Sequence, residues 1–229
     1  RMNTKVNNAI ERLNEILPLA KRQQGLSKEL ADVYQNILYS YVDRGRTLNR
    51  NEIALQVNDP DESIRILKTN DMVVFDSDGE PVGAYPFTME QREHEVSVNG
   101  HKVHCMCALD AMAVSPMFGL ETTINSRCHV NAEPISIHQL NREVIDAGDS
   151  SDVFFGISWN SAANNCCATS LCTEMIFLKG EQVADLTCFA HRNTDEYLSS
   201  GRTIDYNEKI YLTFFDRNRK DSKMEITHR

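Results

Sequence analysis

Residues 95–118 read EVSVNGHKVHCMCALDAMAVSPMF, and this stretch predicts a β-hairpin followed directly by a helix. Polar and apolar residues alternate on both sides of Asn99-Gly100, which is a strongly favoured dipeptide in two-residue hairpin turns. From Cys107 to Phe118 the apolar residues recur at helical spacing, so a helix is expected there. A hairpin that leads the chain into an apolar helix indicates an α+β protein.

The rest of the C-terminal half continues this mixed pattern, because short apolar runs alternate with turn residues. Strands are expected at Thr122–Cys128, Pro134–Ile137, Val153–Trp159 and Leu171–Leu178, a helix at Glu181–Phe189, and a strand or helix at Ile210–Phe215. We therefore expect a mixed sheet-and-helix domain over residues 91–229.

The N-terminal half predicts several helices and one hairpin. The local signals are a helix ending near Pro18, N-caps at Ser27, Asn49 and Asp59, a capping-box Glu52, and a hairpin turn at Asp78-Gly79. Helix, short helix, helix and hairpin is the order of a winged helix-turn-helix. We therefore expect a winged-helix-like N-terminal domain over residues 1–90, separated from the second domain by a polar stretch near residue 90.

The charge of the chain argues against nucleic acid as a partner. Lys and Arg total 24 against 33 Asp and Glu, which gives a formal net charge of -9. The predicted hairpin of the winged helix carries Asp76, Asp78 and Glu80, which DNA phosphates would repel. The N-terminal domain is therefore expected to be a packing domain that does not bind DNA.

The hydropathy pattern indicates a soluble globular protein. No apolar run approaches the roughly 18–20 residues needed to span a bilayer, so no membrane interaction is expected. The N-terminal stretch lacks the apolar segment and small-residue cleavage site of a signal peptide. The expectation is a cytoplasmic location.

All seven cysteines lie after residue 100, so any thiol chemistry belongs to the second half. They are Cys105, Cys107, Cys128, Cys166, Cys167, Cys172 and Cys188. Their odd number argues against a disulfide framework, and no Cys-x2-Cys spacing of a structural zinc site is present.

Cys107 and Asp110 form the most informative pair. Cys107 begins the predicted helix, where free N–H groups and the helix dipole stabilise a thiolate. Asp110 lies three residues on, so both side chains share one helix face and can exchange a proton. The alternative is a buried cysteine near a helix-capping aspartate.

The sequence Cys107-Ala108-Leu109-Asp110 after a hairpin resembles the central motif of the organomercurial lyase (alkylmercury lyase) family. The resemblance continues through Ser126-Arg127-Cys128, the strand beginning at Pro134, and Cys172 before the apolar run Met175–Leu178. It implies that residues 91–229 form a catalytic domain.

The resemblance implies protonolysis of a carbon–mercury bond, giving a hydrocarbon and Hg(II). Cys107 or Cys172 would attack mercury, Asp110 would carry the proton, and Cys107, Cys172 and Asp110 would transiently hold Hg(II). No cofactor is implied beyond an external thiol as acceptor. The expected partners are an organomercurial substrate, and mercuric reductase or small thiols that take the Hg(II), in mercury resistance and detoxification.

The resemblance leaves the roles of several residues open. Cys128 matches a cysteine that the family uses structurally, whereas Cys105 and Cys188 receive no role. The adjacent pair Cys166-Cys167 offers a competing alignment to Cys172, which is preferred because the apolar run then falls into register. Met106 stands where some members have an aromatic residue.

Two other functions compete with the lyase. A non-enzymatic carrier of Hg or Cu could use the same thiols, and a metal-responsive transcription factor could use the winged helix. The acidic charge of the predicted winged helix argues against the second.

Overall fold

The computed structural model describes residues 11–146, 150–157, 171–180 and 196–199. Its helices are α1 (residues 11–16), α2 (Leu19–Gln24), α3 (Lys28–Arg44), α4 (Arg50–Ala54), α5 (Pro60–Thr69) and α6 (Ala108–Phe118). The N-terminal strands are β1 (Val73–Phe75), β2 (Pro81–Ala84), β3 (Phe87–Thr88), β4 (His94–Val98) and β5 (His101–Cys105). The later strands are β6 (Glu121–Arg127), β7 (Pro134–Leu140), β8 (Glu143–Val144), β9 (Val153–Ile157), β10 (Met175–Lys179) and β11 (Glu196–Ser199).

The predicted N-terminal helices form with the caps that the sequence indicates. The side chain of Ser27 accepts the N–H of Leu30 at the start of α3. Asn49 and Glu52 form a reciprocal capping box at α4, and Asp59 caps α5. Each cap satisfies an N–H group that the helix itself leaves without a partner. These local predictions are confirmed.

An eight-stranded antiparallel sheet is the main architectural element. Its strand order is β1-β2-β3-β5-β4-β6-β7-β8. The hairpin of β4 and β5 turns through Asn99 and Gly100, which both have positive φ values (48° and 78°). Two positive φ values are what a tight hairpin turn requires, so the Asn-Gly prediction is confirmed.

The helix α6 lies at the centre of the fold and is buried on every side. All its residues from Ala108 to Met117 are buried, whereas the sequence indicated a single apolar face. Pro116 cannot donate a backbone hydrogen bond to the carbonyl of Met112. The side chain of Gln139 on β7 donates to that carbonyl at 3.0 Å, so the helix continues to Phe118 as predicted.

Aromatic packing joins the N-terminal helices to the sheet and to α6. The rings of Tyr41 and Phe87 stack with centroids 4.8 Å apart, and Phe87 lies 5.7 Å from Phe118. The hydrophobic core thus contains residues from both sides of position 90. The mixed α+β class is confirmed, while the winged-helix assignment and the division at residue 90 stay predictions.

A second, three-stranded antiparallel sheet has the order β10-β9-β11. The predicted strand at Leu171–Leu178 is wrong at its start, because Leu171–Glu174 form a single 3₁₀ turn and the strand begins at Met175. The prediction failed there because only Thr173 and Glu174 separate Cys172 from the apolar run, and so short a polar interruption does not reveal the turn.

Some predicted elements lie outside the described residues, namely the first ten residues, the end of the strand to Trp159, the helix at Glu181–Phe189 and the element at Ile210–Phe215. Within the part of the chain that the structure describes, no helix is long and apolar enough to cross a bilayer.

Candidate active site

Cys107 is the N-cap of α6, and its side chain makes two contacts with Asp110. The backbone there is extended (φ −156°, ψ 176°), so the sulfur can turn back over the first helical turn. It accepts the backbone N–H of Asp110 at 3.3 Å, and the thiol donates to Oδ2 of the same residue at 3.0 Å. Cys107 therefore caps the helix, and the carboxylate of Asp110 accepts the hydrogen bond of its thiol.

Cys172 completes a cluster of three side chains. It lies in the 3₁₀ turn before β10, and α6 contacts this strand. The two sulfur atoms and a carboxylate oxygen of Asp110 all lie within 4.8 Å of one another. All three residues are at most 2% exposed. The fold thus brings together the three site residues that the family resemblance implies.

Burial controls the ionisation of Cys107. The pKa of Cys107 is raised to about 12, mainly because burial removes solvent and also because the negative charge of Asp110 is close. Hydrogen bonds from the Cys172 thiol and from the Asp110 N–H lower the pKa, but by less than burial raises it. The expectation of a stabilised thiolate is therefore wrong, because a thiol with this pKa is neutral at pH 7.

Access to the cluster runs along Cys172. A cavity of about 240 Å³ is lined by Cys172 together with Arg92, His94, Met106 and Met175. Neither Cys107 nor Asp110 lines it. A ligand that enters this cavity therefore meets Cys172 before it meets Cys107.

His94 is a residue of this cavity that sequence reasoning missed. It is 5% exposed, its Nδ1 lies 2.9 Å from Oγ of Ser126, and its ring packs edge-on against Phe177. Burial lowers the pKa of His94 to about 4, aided by the positive charge of Arg92. The signal that could have found it is the alternation of His94, Val96 and Val98 on one face of β4.

Comparison with known proteins identifies the family. The sequence profile of MerB, alkylmercury lyase, matches residues 87–203, which is about half of the chain and includes Cys107, Asp110 and Cys172. The chain belongs to the alkylmercury lyase family. Residues 1–86 lie outside the matched region.

Two curated members of the alkylmercury lyase family are similar to this chain. The alkylmercury lyases of Bacillus cereus and Clostridium butyricum are each 23% identical to it over 142 residues. The similarity covers 62% of this chain and 64% of each relative, so the chain spans less than two thirds of their length. The crystal structure of the mercury-bound form of MerB2 shares the fold, with a TM-score of 0.70 and 17% identity over 93% of this chain and 100% of that one.

Cys105 and Cys128 lie outside the three-residue cluster of this family member. Cys105 ends β5, and burial with the nearby charge of Asp110 raises its pKa well above the ordinary value. The sulfur of Cys128 accepts the backbone N–H of Lys179 at 3.3 Å, which links the end of β6 to β10. Both are buried, and the contact of Cys128 is a structural one.

Two further histidines lie outside the three-residue cluster. His138 is exposed on β7, and His129 borders the small cavity with its side chain exposed. Cys166, Cys167, Cys188, His191 and Trp159 lie outside the described residues. The competing alignment of Cys166-Cys167 is therefore not tested by the structure.

Proposed function

We propose that this chain is an organomercurial lyase that cleaves a carbon–mercury bond by protonolysis. The observation that carries the proposal is the convergence of Cys107, Asp110 and Cys172 within 4.8 Å beside a cavity. Membership of the alkylmercury lyase family supports it. The substrate would be an organomercurial, and the products a hydrocarbon and Hg(II).

The donor set suits mercury, which is a soft cation. Soft thiolates bind such ions far better than oxygen ligands do. The two thiols are therefore assigned to mercury binding, and the carboxylate is assigned to proton transfer. The buried position of the cluster favours this division because a charged intermediate would be shielded from water.

Cys172 attacks first in the proposed sequence, because it alone of the three lines the cavity. Its sulfur replaces the outgoing ligand of R–Hg–X, and the thiol proton leaves with X. Mercury is then attached to Cys172 while it still carries its organic group. The neutral thiol of Cys107 lies next to it.

Asp110 then moves the proton that breaks the bond. Its Oδ2 takes the proton of Cys107 along the existing 3.0 Å hydrogen bond, and the new thiolate binds mercury. The second sulfur increases electron density on the carbon, and the protonated Asp110 delivers its proton there. The hydrocarbon R–H leaves, Asp110 is again a carboxylate, and Hg(II) is held by the two sulfurs.

A single assay tests the proposal against the alternative of a metal carrier. Purified full-length protein is incubated with phenylmercury and excess thiol, and benzene is measured by gas chromatography. Catalytic benzene release above the thiol-only background is expected. Stoichiometric retention of phenylmercury with no benzene would instead identify a carrier.

The variant Cys107→Ser, Cys172→Ser is the matched control for this assay. Both hydroxyls keep the shape of the site, and serine is itself a preferred helix N-cap. Hydroxyl oxygen binds mercury poorly, so benzene release should fall to the background. Benzene release equal to that of the wild type would overturn the proposed site.

The cellular role follows the same proposal. Hg(II) held by two thiolates would pass to mercuric reductase or to small thiols, in cytoplasmic detoxification that confers mercury resistance. The reaction as written needs no cofactor besides an external thiol acceptor. The N-terminal helices and hairpin, winged-helix-like in their order, would serve as a packing domain without nucleic acid as a partner.

A further inference from the structure

A second, larger cavity lies over one end of the main sheet. Its volume is about 650 Å³, and its walls come from the ends of β4 to β7 and from β10. Glu95, Asn125 and Ser136 form a row across three neighbouring strands at its floor, since Glu95 pairs with Asn125 and Asn125 with Ser136. We call this cavity the sheet groove.

Two cations of the sheet groove have no carboxylate partner among the residues that the structure describes. Arg127 donates to the carbonyl of Ala132 at 3.2 Å, and Lys179 donates to that of Pro134 at 3.2 Å. Neither forms an ion pair with any residue that the structure describes. In a chain of net charge -9, two such cations at one cavity are a local site for carboxylates.

An acidic residue also lines the sheet groove. Glu93 lines it, is exposed, and forms no ion pair within the described part of the chain. The negative charge of Glu95, by contrast, is compensated by Lys102 at 2.9 Å. The groove therefore offers a carboxylate for an ammonium group as well as cations for carboxylates.

The sheet groove adjoins the cavity that leads to Cys172. Arg92 and Glu93 line both cavities. The two spaces also share the hydrogen bond between His94, which lines the smaller one, and Ser126, which lines the larger one. A ligand seated in the groove therefore lies next to the entrance of the site.

We propose that the sheet groove binds a small zwitterionic thiol, of the amino-acid thiol class, that removes Hg(II) from Cys107 and Cys172. Arg127 and Lys179 receive its carboxylate, Glu93 receives its ammonium group, and its sulfur enters the smaller cavity. This inference rests on the proposed function, because that function places Hg(II) on the two cysteines.

The exchange conserves atoms and needs no redox partner. The incoming thiol forms one bond from its sulfur to mercury, and the bond from mercury to Cys172 breaks. The proton of the incoming thiol passes to the departing cysteine sulfur. A second thiol displaces Cys107 in the same way, leaving a bis-thiolate mercury complex and two protein thiols.

The test measures release of mercury from full-length protein loaded with one equivalent of mercuric chloride. Protein-bound mercury is followed by rapid gel filtration and atomic absorption at increasing concentrations of three thiols. Cysteine carries both charged groups, cysteamine lacks the carboxylate, and 3-mercaptopropionate lacks the ammonium group. Cysteine should show saturation, at a half-saturating concentration about tenfold below that of either analogue.

Variants assign each charged group of the thiol to its partner. Arg127→Gln with Lys179→Gln should raise the half-saturating concentration of cysteine and of 3-mercaptopropionate about tenfold and leave cysteamine unchanged. Glu93→Gln should affect cysteine and cysteamine and leave 3-mercaptopropionate unchanged. Lys28→Gln, an exposed lysine on α3, is the matched control and should change none of the three.

Two results would overturn the proposal. One is release that rises linearly with all three thiols, since no subsite would then be saturated. The other is saturation that the groove variants do not alter, since the thiol would then bind elsewhere. Mercuric chloride loading requires no bond cleavage, so a failed benzene assay tests the lyase function separately from the groove.

Discussion

The sulfur of Cys107 lies 3.0 Å from Oδ2 of Asp110 and accepts the backbone N–H of the same residue at 3.3 Å. One residue thus contacts the thiol with both its backbone and its side chain, and the first turn of α6 holds the pair rigidly. Burial keeps the proton on sulfur, and the carboxylate lies on the path along which that proton leaves. The pair is arranged as a thiol with its own base.

Replacement of Asp110 should separate mercury capture from bond cleavage. In Asp110→Ala, both sulfurs remain, so phenylmercury binding should persist, while benzene release should fall about 10²–10⁴-fold, the range for loss of a general acid–base. Asp110→Asn is the isosteric control, which preserves packing but cannot carry the proton. Normal turnover in both variants would leave Asp110 with a purely structural role.

The cysteine variants should identify the second mercury ligand. Cys172→Ser and Cys107→Ser should each abolish benzene release, because a mercury held by one sulfur is not activated. Cys166→Ser and Cys167→Ser should each retain most activity. An inactive Cys167→Ser beside an active Cys172→Ser would move the ligand five residues towards the N-terminus.

Alkaline pH should destabilise the protein through Cys107. Its pKa rises from 9.0 to about 12 on folding, so the stabilisation is complete below pH 9 and is lost as pH rises towards 12. Between pH 8 and 10.5 the unfolding free energy should fall by about 2 kcal/mol more in the wild type than in Cys107→Ala. Urea denaturation of both proteins at pH 8 and 10.5 measures this difference. An equal fall in the unfolding free energy of the two proteins would contradict the prediction.

Acidic pH should destabilise the folded protein through His94. The folded pKa is lowered from 6.5 to about 4, so its stabilising effect is present above pH 6.5 and is lost as pH falls towards 4. Between pH 7 and 4.5 the wild type should lose about 2–3 kcal/mol more unfolding free energy than His94→Gln. The glutamine can still hydrogen-bond to Ser126. If the unfolding free energies of the two proteins fell equally with pH, the pKa of His94 would not be lowered on folding, which would contradict the prediction.

The protein should not bind duplex DNA at physiological salt. The helices and hairpin from residue 43 to 88 carry more acidic than basic side chains, and Arg44, Arg46, Arg50 and Arg65 all pair with carboxylates. Phosphate binding requires unpaired cations. Fluorescence anisotropy with a random duplex tests this, and a salt-sensitive submicromolar affinity would contradict the packing role.

Local sequence signals predicted the part of the site that is contiguous in the chain. Asn99-Gly100 set the hairpin, and the hairpin leads into α6 with Cys107 and Asp110 one turn apart. These features depend on turn geometry and helical spacing, which short stretches encode.

Features that depend on distant contacts could not be derived in this way. The approach of Cys172 to Cys107 joins two sheets, and no spacing rule predicts it; only the family resemblance indicated it. The high pKa of Cys107 results from burial of α6 on all sides, which an amphipathic pattern conceals. The buried position of His94 involves a hydrogen bond with Ser126, which is 32 residues away in sequence.

The two sulfurs of the site belong to different layers of the molecule. Cys107 starts the helix packed on the large sheet, whereas Cys172 precedes a strand of the small sheet, and these sheets are joined by contacts such as the bond from His129 N–H to the Phe177 carbonyl. A mercury ion held by both would act as a reversible crosslink, comparable to a disulfide, and would favour the folded state by mass action. In the proposed cycle the product complex is thus the most stable form of the protein. Each turnover ends when mercury leaves and this crosslink between the two sheets is removed.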